Sequence, residues 1–117
     1  MRKADMAGLT THVLDTATGL PAAGLEIELW SSDGQTQLAE RVTNADGRTD
    51  KPLLSEQEAQ NGFYELRFFA GDYLTGKPGE PPFFDVISIR FRYSIDRPHH
   101  HIPLLLSPFG YSTYRGS

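Results

Sequence analysis

The segment Ile87–Tyr93, with the sequence Ile-Ser-Ile-Arg-Phe-Arg-Tyr, decides the fold class, because apolar and polar residues alternate along its whole length. A period of two residues is that of a β-strand with one buried face. The segment from Leu25 to Trp30 alternates in the same way, and the aromatic segment from Phe63 to Phe69 also predicts a strand. Aspartate followed by glycine, at 33–34 and at 46–47, supplies the positive φ that tight hairpins require. The chain is therefore expected to form seven or eight short strands packed as an antiparallel sandwich.

Helix is expected at two places, and both are short. Ser55 and Glu58 have the spacing of a capping box, in which each side chain accepts a hydrogen bond from the other residue's backbone amide. The segment from Gly71 to Gly76 could form a further turn of helix. The prolines that follow exclude a longer helix and predict a loop ahead of a strand at Phe84.

The composition bounds the class of protein. A length of 117 residues allows one domain with its own core, and we expect a flexible tail at residues 1–7 and a single domain at 8–117. The net charge of −4, with acidic and basic residues interspersed, offers no basic surface for nucleic acid. The absence of cysteine excludes disulfides, thiolate catalysis and cysteine-ligated metal sites. No apolar run approaches the roughly 18 residues of a membrane span, and no signal peptide is visible, so a cytoplasmic location is expected.

The four histidines are the side chains best suited to acid–base chemistry near neutral pH. Alternation along a strand would put His99 and His101 on one face and His100 on the other, core-like face. His12, in a separate strand, would share a face with Thr10. The alternative is that all four are ordinary strand histidines whose ring nitrogens are satisfied by hydrogen bonds.

A metal site is a second interpretation of the same histidines. His99 and His101 would project from one side of a strand, His12 could add a third imidazole, and three histidines with a water form a catalytic zinc arrangement. No carboxylate stands beside the histidine run to orient the ligands. We therefore expect neither a metal nor any other cofactor.

Arg48 and the C-terminal segment complete the set of candidate residues. Arg48 follows the turn at 45–47, where an arginine is ordinarily a solvated loop residue. Its guanidinium always stays charged and could polarise an oxygen-rich substrate. The segment 107–117 is rich in serine, threonine and tyrosine. Chain ends are normally frayed and have no particular composition. The unusual composition here therefore predicts a final strand that brings polar groups to a specific place.

Two groups of motifs resemble a known family. Thr11–Asp15 (Thr-His-Val-Leu-Asp) and Thr18–Ala22 (Thr-Gly-Leu-Pro-Ala) are similar to the opening of the transthyretin-like family, an opening that other sandwich modules share in part. His101–Pro108 (His-Ile-Pro-Leu-Leu-Leu-Ser-Pro) followed by Tyr111–Ser117 (Tyr-Ser-Thr-Tyr-Arg-Gly-Ser) resembles the signature of the 5-hydroxyisourate hydrolases of that family. The terminal Tyr-Arg-Gly-Ser is their hallmark. The resemblance covers about residues 8–117.

The resemblance implies an all-β transthyretin-like sandwich of two four-stranded sheets, with one short helix after the fifth strand. It implies a homotetramer, built as a dimer of dimers, whose active site lies in a cleft where dimers meet. The implied substrate is 5-hydroxyisourate, which resembles urate with a hydroxyl at carbon 5. Water is added to a lactam carbonyl, and the six-membered ring opens. The product, 2-oxo-4-hydroxy-4-carboxy-5-ureidoimidazoline, belongs to the branch of purine catabolism that leads from urate to allantoin.

The resemblance also implies roles for five residues. His12 and His101 would activate water and shuttle protons, with the general base left undecided between them. Arg48 would bind substrate oxygens and stabilise developing negative charge. Tyr114 would contact the substrate. Ser117 would orient a histidine through its hydroxyl or its terminal carboxylate, although a regular strand would point Tyr114 and Ser117 in opposite directions.

Two other functions fit the same fold. The first is a non-catalytic carrier of small aromatic molecules, and the second is a structural or adhesion module. The family's hormone carriers lack counterparts of His12, Arg48, His101 and the terminal tetrapeptide. Paired histidines with an arginine suit catalysis better than carriage, because unpaired polar groups in a dry pocket are unfavourable.

Overall fold

The structure, a computed structural model, describes residues 8–79 and 81–116, so the tail predicted at 1–7 lies outside the described residues. In the described part, eight strands and one helix follow one another as β1 Gly8–Asp15, β2 Leu20–Pro21, β3 Glu26–Ser31, β4 Gln37–Val42, β5 Gly62–Phe68, α1 Ala70–Leu74, β6 Ile87–Tyr93, β7 His99–Leu106 and β8 Tyr111–Thr113. The strands form two four-stranded sheets, with the orders β2-β1-β7-β8 and β4-β3-β5-β6. This confirms the predicted sandwich.

The core lies between the two sheets and is built from the positions that the alternation predicted. In β3, Ile27 and Leu29 are fully buried, while the alternating residues Glu26, Glu28 and Trp30 are half-buried and face outward. Full burial of such a side chain is worth about 1.5–3 kcal/mol, so the inward faces hold the sheets together. In β6, at the edge of the same sheet, the end residues Ile87 and Tyr93 are buried, while Ile89 and Phe91 between them are half-buried.

One strand pairing departs from the antiparallel pattern. β1 and β7 run parallel, in a register from Gly8 opposite His99 to Asp15 opposite Leu106. The other strand pairs of the described residues are antiparallel. A parallel pair requires a long crossover, and here the whole second sheet lies between the two strands in the chain. The parallel register sets Thr10 directly opposite His101.

The two predicted helical segments have different outcomes. α1 begins one residue before the expected turn of helix and ends two residues before the expected end, and it follows directly after the fifth strand. Ser55 and Glu58 make both capping-box hydrogen bonds, from Ser55 N to Glu58 Oε1 at 3.0 Å and from Glu58 N to Ser55 Oγ at 3.2 Å. The segment is nevertheless a turn and not a helix. Two local hydrogen bonds close one turn, but the chain must enter β5 at Gly62 before a helix can propagate.

The strand expected at Phe84 begins instead at Ile87. The ring of Phe84 packs edge-on against Tyr111, with centroids 5.4 Å apart, so this residue anchors the loop and does not extend the sheet. No helix in the described part of the chain is long and apolar enough to cross a membrane.

Candidate active site

The outward face of the β1–β7 pair carries three of the four histidines. His12, His99 and His101 lie on this face and are half-buried, as is Thr10 beside them. His100 points the other way, into the core, and only 3% of its surface is exposed. The alternation predicted for the histidine run is therefore confirmed. We call the outward surface formed by Thr10, His12, His99 and His101 the histidine face.

The Thr10 hydroxyl connects two of these imidazoles. Thr10 Oγ1 lies 2.8 Å from His99 Nε2 and 2.8 Å from His101 Nδ1. The two rings are 5.9 Å apart between centroids and tilted by 36°. The parallel register makes this contact geometrically natural, because Thr10 stands directly opposite His101 on β7. The contact fixes the orientation of the His101 ring.

A turn from Asn44 to Arg48 brings the arginine to the histidine face. Arg48 pairs with His12 as an isolated antiparallel bridge. The side-chain oxygen of Asn44 accepts hydrogen bonds from the amides of Asp46, at 2.9 Å, and Arg48, at 3.2 Å. Gly47 has a φ of +74°, and a Cβ there would lie 3.3 Å from His12 Cδ2 and collide with the backbone of β1. Glycine is thus required for the turn to approach the His12 ring this closely.

The C-terminal segment lies against His101. β8 pairs with β7 and ends at Thr113, and the next position of β7 in that register is Pro103, which has no amide to donate. Pairing resumes at Gly116, whose amide donates to the carbonyl of His101 at 2.7 Å. A Cβ at position 116 would lie 2.7 Å from His101 Cδ2, so any other residue there would displace the His101 ring. Ser117, predicted to orient a histidine, lies outside the described residues.

Tyr114 lies apart from the histidine face within one chain. It is exposed, and it borders a cavity of about 270 Å³ that is also lined by Phe91, His100 and Ile102. Among the described residues, no hydrogen bond joins Tyr114 to the histidines or to Arg48. The structure therefore brings together His12, Arg48 and His101, and the predicted role of Tyr114 stays a prediction.

The electrostatics of the site keep its histidines neutral. Burial, followed by the charge of Arg48 and the nearby rings of His99 and His12, lowers the pKa of His101 to about 4. Burial and the charge of Arg48 also lower the pKa of His12, although a hydrogen bond to the backbone of Asp46 and the charge of Asp46 partly offset them. Both imidazoles are consequently neutral at pH 7, with one unprotonated nitrogen in each ring.

His100 matches the alternative interpretation in part: it is packed in the core and one ring nitrogen is hydrogen-bonded, but its buried Nδ1 has no hydrogen-bond partner among the described residues. Its ring stacks on Tyr93 with centroids 3.9 Å apart, and its Nε2 accepts a hydrogen bond from the Ser94 amide at 3.2 Å. Burial is the main cause that lowers its pKa. His100 is therefore packed into the core and faces away from His101.

The histidines do not converge as metal ligands. Among the described residues, the ring nitrogens of His12, His99 and His101 do not form a group with the spacing that a shared metal ion requires. In residues 8–79 and 81–116, one group of side chains has metal-ligand spacing: Glu26, Glu28 and Glu40 on the outward face of the second sheet. Exposed carboxylates commonly cluster without an ion, so these residues identify no metal centre.

The arrangement has the parts needed to hydrolyse a cyclic amide. Neutral imidazoles can take a proton from water, and an adjacent guanidinium can stabilise an oxyanion. Four further residues shape this site, and none of them was assigned a role in the chemistry from the sequence: Thr10, His99, Asn44 and Gly116. The shared faces of Thr10 with His12 and of His99 with His101 were visible in the sequence, but the parallel pairing that joins them was not.

Comparison with known proteins gives consistent matches along the chain. The model of the HIUase/Transthyretin family matches residues 9–116. A 5-hydroxyisourate hydrolase of Mesorhizobium japonicum is 58% identical over 120 residues, which cover 98% of this chain and 96% of the relative.

Solved structures show the same likeness. The 5-hydroxyisourate hydrolase of Klebsiella pneumoniae superposes with a TM-score of 0.80 at 35% identity, covering 97% of this chain and 95% of the other. The structure of an (S)-allantoin synthase superposes with a TM-score of 0.83 at 42% identity over 97% of this chain. The match spans only 45% of the synthase chain, so the likeness concerns one part of that larger protein.

Proposed function

Because this chain belongs to the HIUase/Transthyretin family, we propose that its histidine face, with Arg48, is the active site of a 5-hydroxyisourate hydrolase. The reaction hydrolyses 5-hydroxyisourate to 2-oxo-4-hydroxy-4-carboxy-5-ureidoimidazoline, in the branch of purine catabolism from urate to allantoin. One observation carries the assignment of the site. His12, Arg48 and His101 come from three separate segments and meet on one outward face.

His101 is the proposed general base. A base needs a free lone pair at working pH and a partner that orients it. The lowered pKa of His101 provides the first, and the contact of its Nδ1 with Thr10 provides the second. His101 Nε2 takes a proton from water as the water oxygen bonds to the lactam carbonyl carbon. The same proton then passes to the ring nitrogen whose bond to that carbon breaks, so the ring opens and His101 returns to its neutral form.

Arg48 and His12 serve the substrate. The guanidinium of Arg48 stabilises the negative charge that develops on the carbonyl oxygen in the tetrahedral intermediate. This charge-assisted contact is stronger than a neutral hydrogen bond. The lone pair of neutral His12 accepts a hydrogen bond from the attacking water or from a substrate N–H, and this fixes the direction of attack.

Tyr114 and Ser117 retain their predicted roles within this proposal. Tyr114 contacts the substrate in the assembled oligomer, and Ser117 orients a histidine. The position of Gly116 supports the role proposed for Ser117. Gly116 directly precedes Ser117 in the chain, and it lies against His101, the proposed base.

The proposal includes a homotetramer, arranged as a dimer of dimers, and a cytoplasmic location. The half-buried histidine face and the open edge strands β6 and β8 support assembly, since a second chain would complete a cleft over them. Size-exclusion chromatography with light scattering tests the tetramer, and cell fractionation tests the location.

The decay of ultraviolet absorbance of freshly generated 5-hydroxyisourate, with and without the protein, tests the proposed function. We expect acceleration proportional to protein concentration. A His101→Asn protein, purified identically, controls for a contaminating hydrolase. A folded wild-type protein that leaves the decay unchanged would overturn the proposal and favour a non-catalytic carrier.

A further inference from the structure

The two contacts of the Thr10 hydroxyl restrict where the ring protons of His99 and His101 can lie. A threonine hydroxyl has one proton to donate, and it accepts through its lone pairs. Two ring nitrogens, His99 Nε2 and His101 Nδ1, are both 2.8 Å from Thr10 Oγ1. If Thr10 donates to one ring, the other ring donates to Thr10. The hydroxyl therefore couples the tautomers of the two histidines.

Two arrangements of the neutral rings satisfy both contacts and also use the Thr10 hydroxyl proton, which has no other hydrogen-bond partner among the described residues. In the first, His101 Nδ1–H donates to Thr10, and Thr10 donates to His99 Nε2, so that His101 Nε2 is left with a free lone pair. In the second, His99 Nε2–H donates to Thr10, and Thr10 donates to His101 Nδ1, so that His101 Nε2 carries a proton. The first arrangement prepares His101 as a base, and the second prepares it as an acid.

We propose that Thr10 and His99 are positioning residues that hold His101 in the Nδ1–H form in the resting site and relay a proton away from it during hydrolysis. This inference rests on the proposed function and deepens it. Neither residue touches the reacting atoms in this scheme, since both act through His101.

The relay is a sequence of proton transfers from His101 to His99 through Thr10. His101 Nε2 binds the proton from water. The Nδ1 proton of His101 moves to Thr10 Oγ1 as the hydroxyl proton of Thr10 moves to His99 Nε2. The positive charge thereby leaves His101 for His99, and the reverse movement returns the proton to the leaving nitrogen.

The surroundings of His101 explain why moving the charge is favourable. From the turn, Arg48 opposes a positive charge on His101, and from β1 the ring of His12 does so too. From the C-terminal segment, the uncharged backbone of Gly116 covers the ring. On the same strand, His99 has burial alone as the cause of its lowered pKa. A proton on His99 is therefore less opposed by Arg48 than a proton on His101.

The neighbouring threonine offers a matched control. Thr11 is on the same strand and also bonds β7, through its hydroxyl to the carbonyl of Ile102 at 2.6 Å. It points into the core and is 1% exposed. Thr10→Val and Thr11→Val thus delete the same group from adjacent positions, one from the relay and one from the core.

We expect Thr10→Val to lower kcat about 10- to 100-fold with KM changed less than about threefold, a smaller loss than removal of the base itself. Thr10→Ser, which keeps the hydroxyl, should restore most of kcat. Thr11→Val should lower the thermal midpoint but leave kcat within about twofold, since a buried carbonyl loses its partner. His99→Phe should lower kcat like Thr10→Val and should not add to it in the double variant.

Nitrogen NMR of histidine-labelled full-length protein reads the relay without any turnover. Wild type should show His101 protonated at Nδ1 at pH 7, and Thr10→Val should shift it toward the Nε2–H form. Wild-type kcat in Thr10→Val, or an unchanged His101 tautomer, would overturn the relay while leaving the hydrolase assignment intact. Failure of the wild type to hydrolyse 5-hydroxyisourate would overturn the proposed function, and the NMR result would still decide whether Thr10 sets the tautomer.

Discussion

The two faces of β7 use the same residue type in opposite ways. On the outward face, His101 contacts Thr10, stands near Arg48 and lies under Gly116. On the inward face, His100 stacks on Tyr93 and is closed off from solvent. Burial lowers the pKa of both residues, so the shift alone does not separate a reactive histidine from a packed one. The distinguishing features are the partners: a cation and an orienting hydroxyl on one face, and an aromatic ring on the other.

The largest expected effect concerns the cation that distinguishes the outward face. Arg48→Ala should lower kcat/KM at least about a hundredfold, because an oxyanion donor is typically worth about 10²–10³ in rate. Arg90→Ala is the matched control, since Arg90 is an exposed arginine on the outward face of the other sheet. Steady-state kinetics and a thermal melt of both proteins check this. Equal losses in the two variants would remove Arg48 from the chemistry.

The C-terminal cover of His101 should have the next largest effect. Deleting residues 114–117, or fusing a tag after Ser117, should lower turnover at least about tenfold, because small displacements of catalytic groups are costly. The thermal midpoint and the elution volume should change little, since β7 keeps its buried residues Ile102, Leu104 and Leu106. A tag fused to the N-terminus is the control. Full activity of the truncated protein would contradict the roles of Tyr114 and Ser117, and loss of the oligomer together with activity would make the segment structural.

A smaller effect is expected of pH on the free energy of unfolding. His101 on the outward face and His100 on the inward face should both lower it as the pH falls. The ordinary pKa of histidine is about 6.5, and the folded protein holds that of His101 at about 4. As the pH falls below about 6.5, His101 binds a proton in the unfolded chain but not in the folded chain. The free energy of unfolding therefore falls between about pH 6.5 and 4, and it keeps its full value above pH 6.5. His100 contributes in the same direction. Denaturant melts of wild type and His100→Phe from pH 7.5 to 4.5 check this, and the variant should show the shallower slope. A stability that rises on acidification would contradict the neutral state of these rings.

No change at all is expected from chelation. Among the described residues, the histidines of the outward face are not grouped at the spacing of metal ligands. The rate after exhaustive chelation should equal that of the untreated protein within error, and elemental analysis should find no stoichiometric transition metal. A metal whose removal abolishes activity and whose return restores it would refute this.

The direction in which the side chains of β3 and β7 point could be predicted from the sequence, because strand alternation has a period of two. It predicted that His100 and His101 face opposite ways and that Ile27 and Leu29 are buried. It could not predict the partners of those faces. The contact of Thr10 with His101 depends on a parallel register between residues that are 91 positions apart, which no local pattern encodes.

The two predicted helical segments also show that a local pattern predicts local contacts but not the path of the chain beyond them. The capping-box hydrogen bonds between Ser55 and Glu58 are local, and they form as the spacing predicts. Whether a helix grows from them depends on where the chain must go next, and here it must reach β5. The glycines at 47 and 116 were visible in the sequence, but their role of allowing backbone to approach His12 and His101 became apparent only from the fold.

The most direct test of the account is a side-by-side measurement of kcat/KM for His101→Asn and His100→Asn with 5-hydroxyisourate. The two substitutions make the same chemical change at adjacent positions of one strand. We expect His101→Asn to lose at least about a hundredfold in rate while remaining folded, as removal of a general base does. His100→Asn should keep kcat/KM within about threefold, with a lower thermal midpoint because its ring leaves Tyr93. Equal losses of rate in the two folded variants, or the larger loss in His100→Asn, would contradict the assignment of the outward face as the active site.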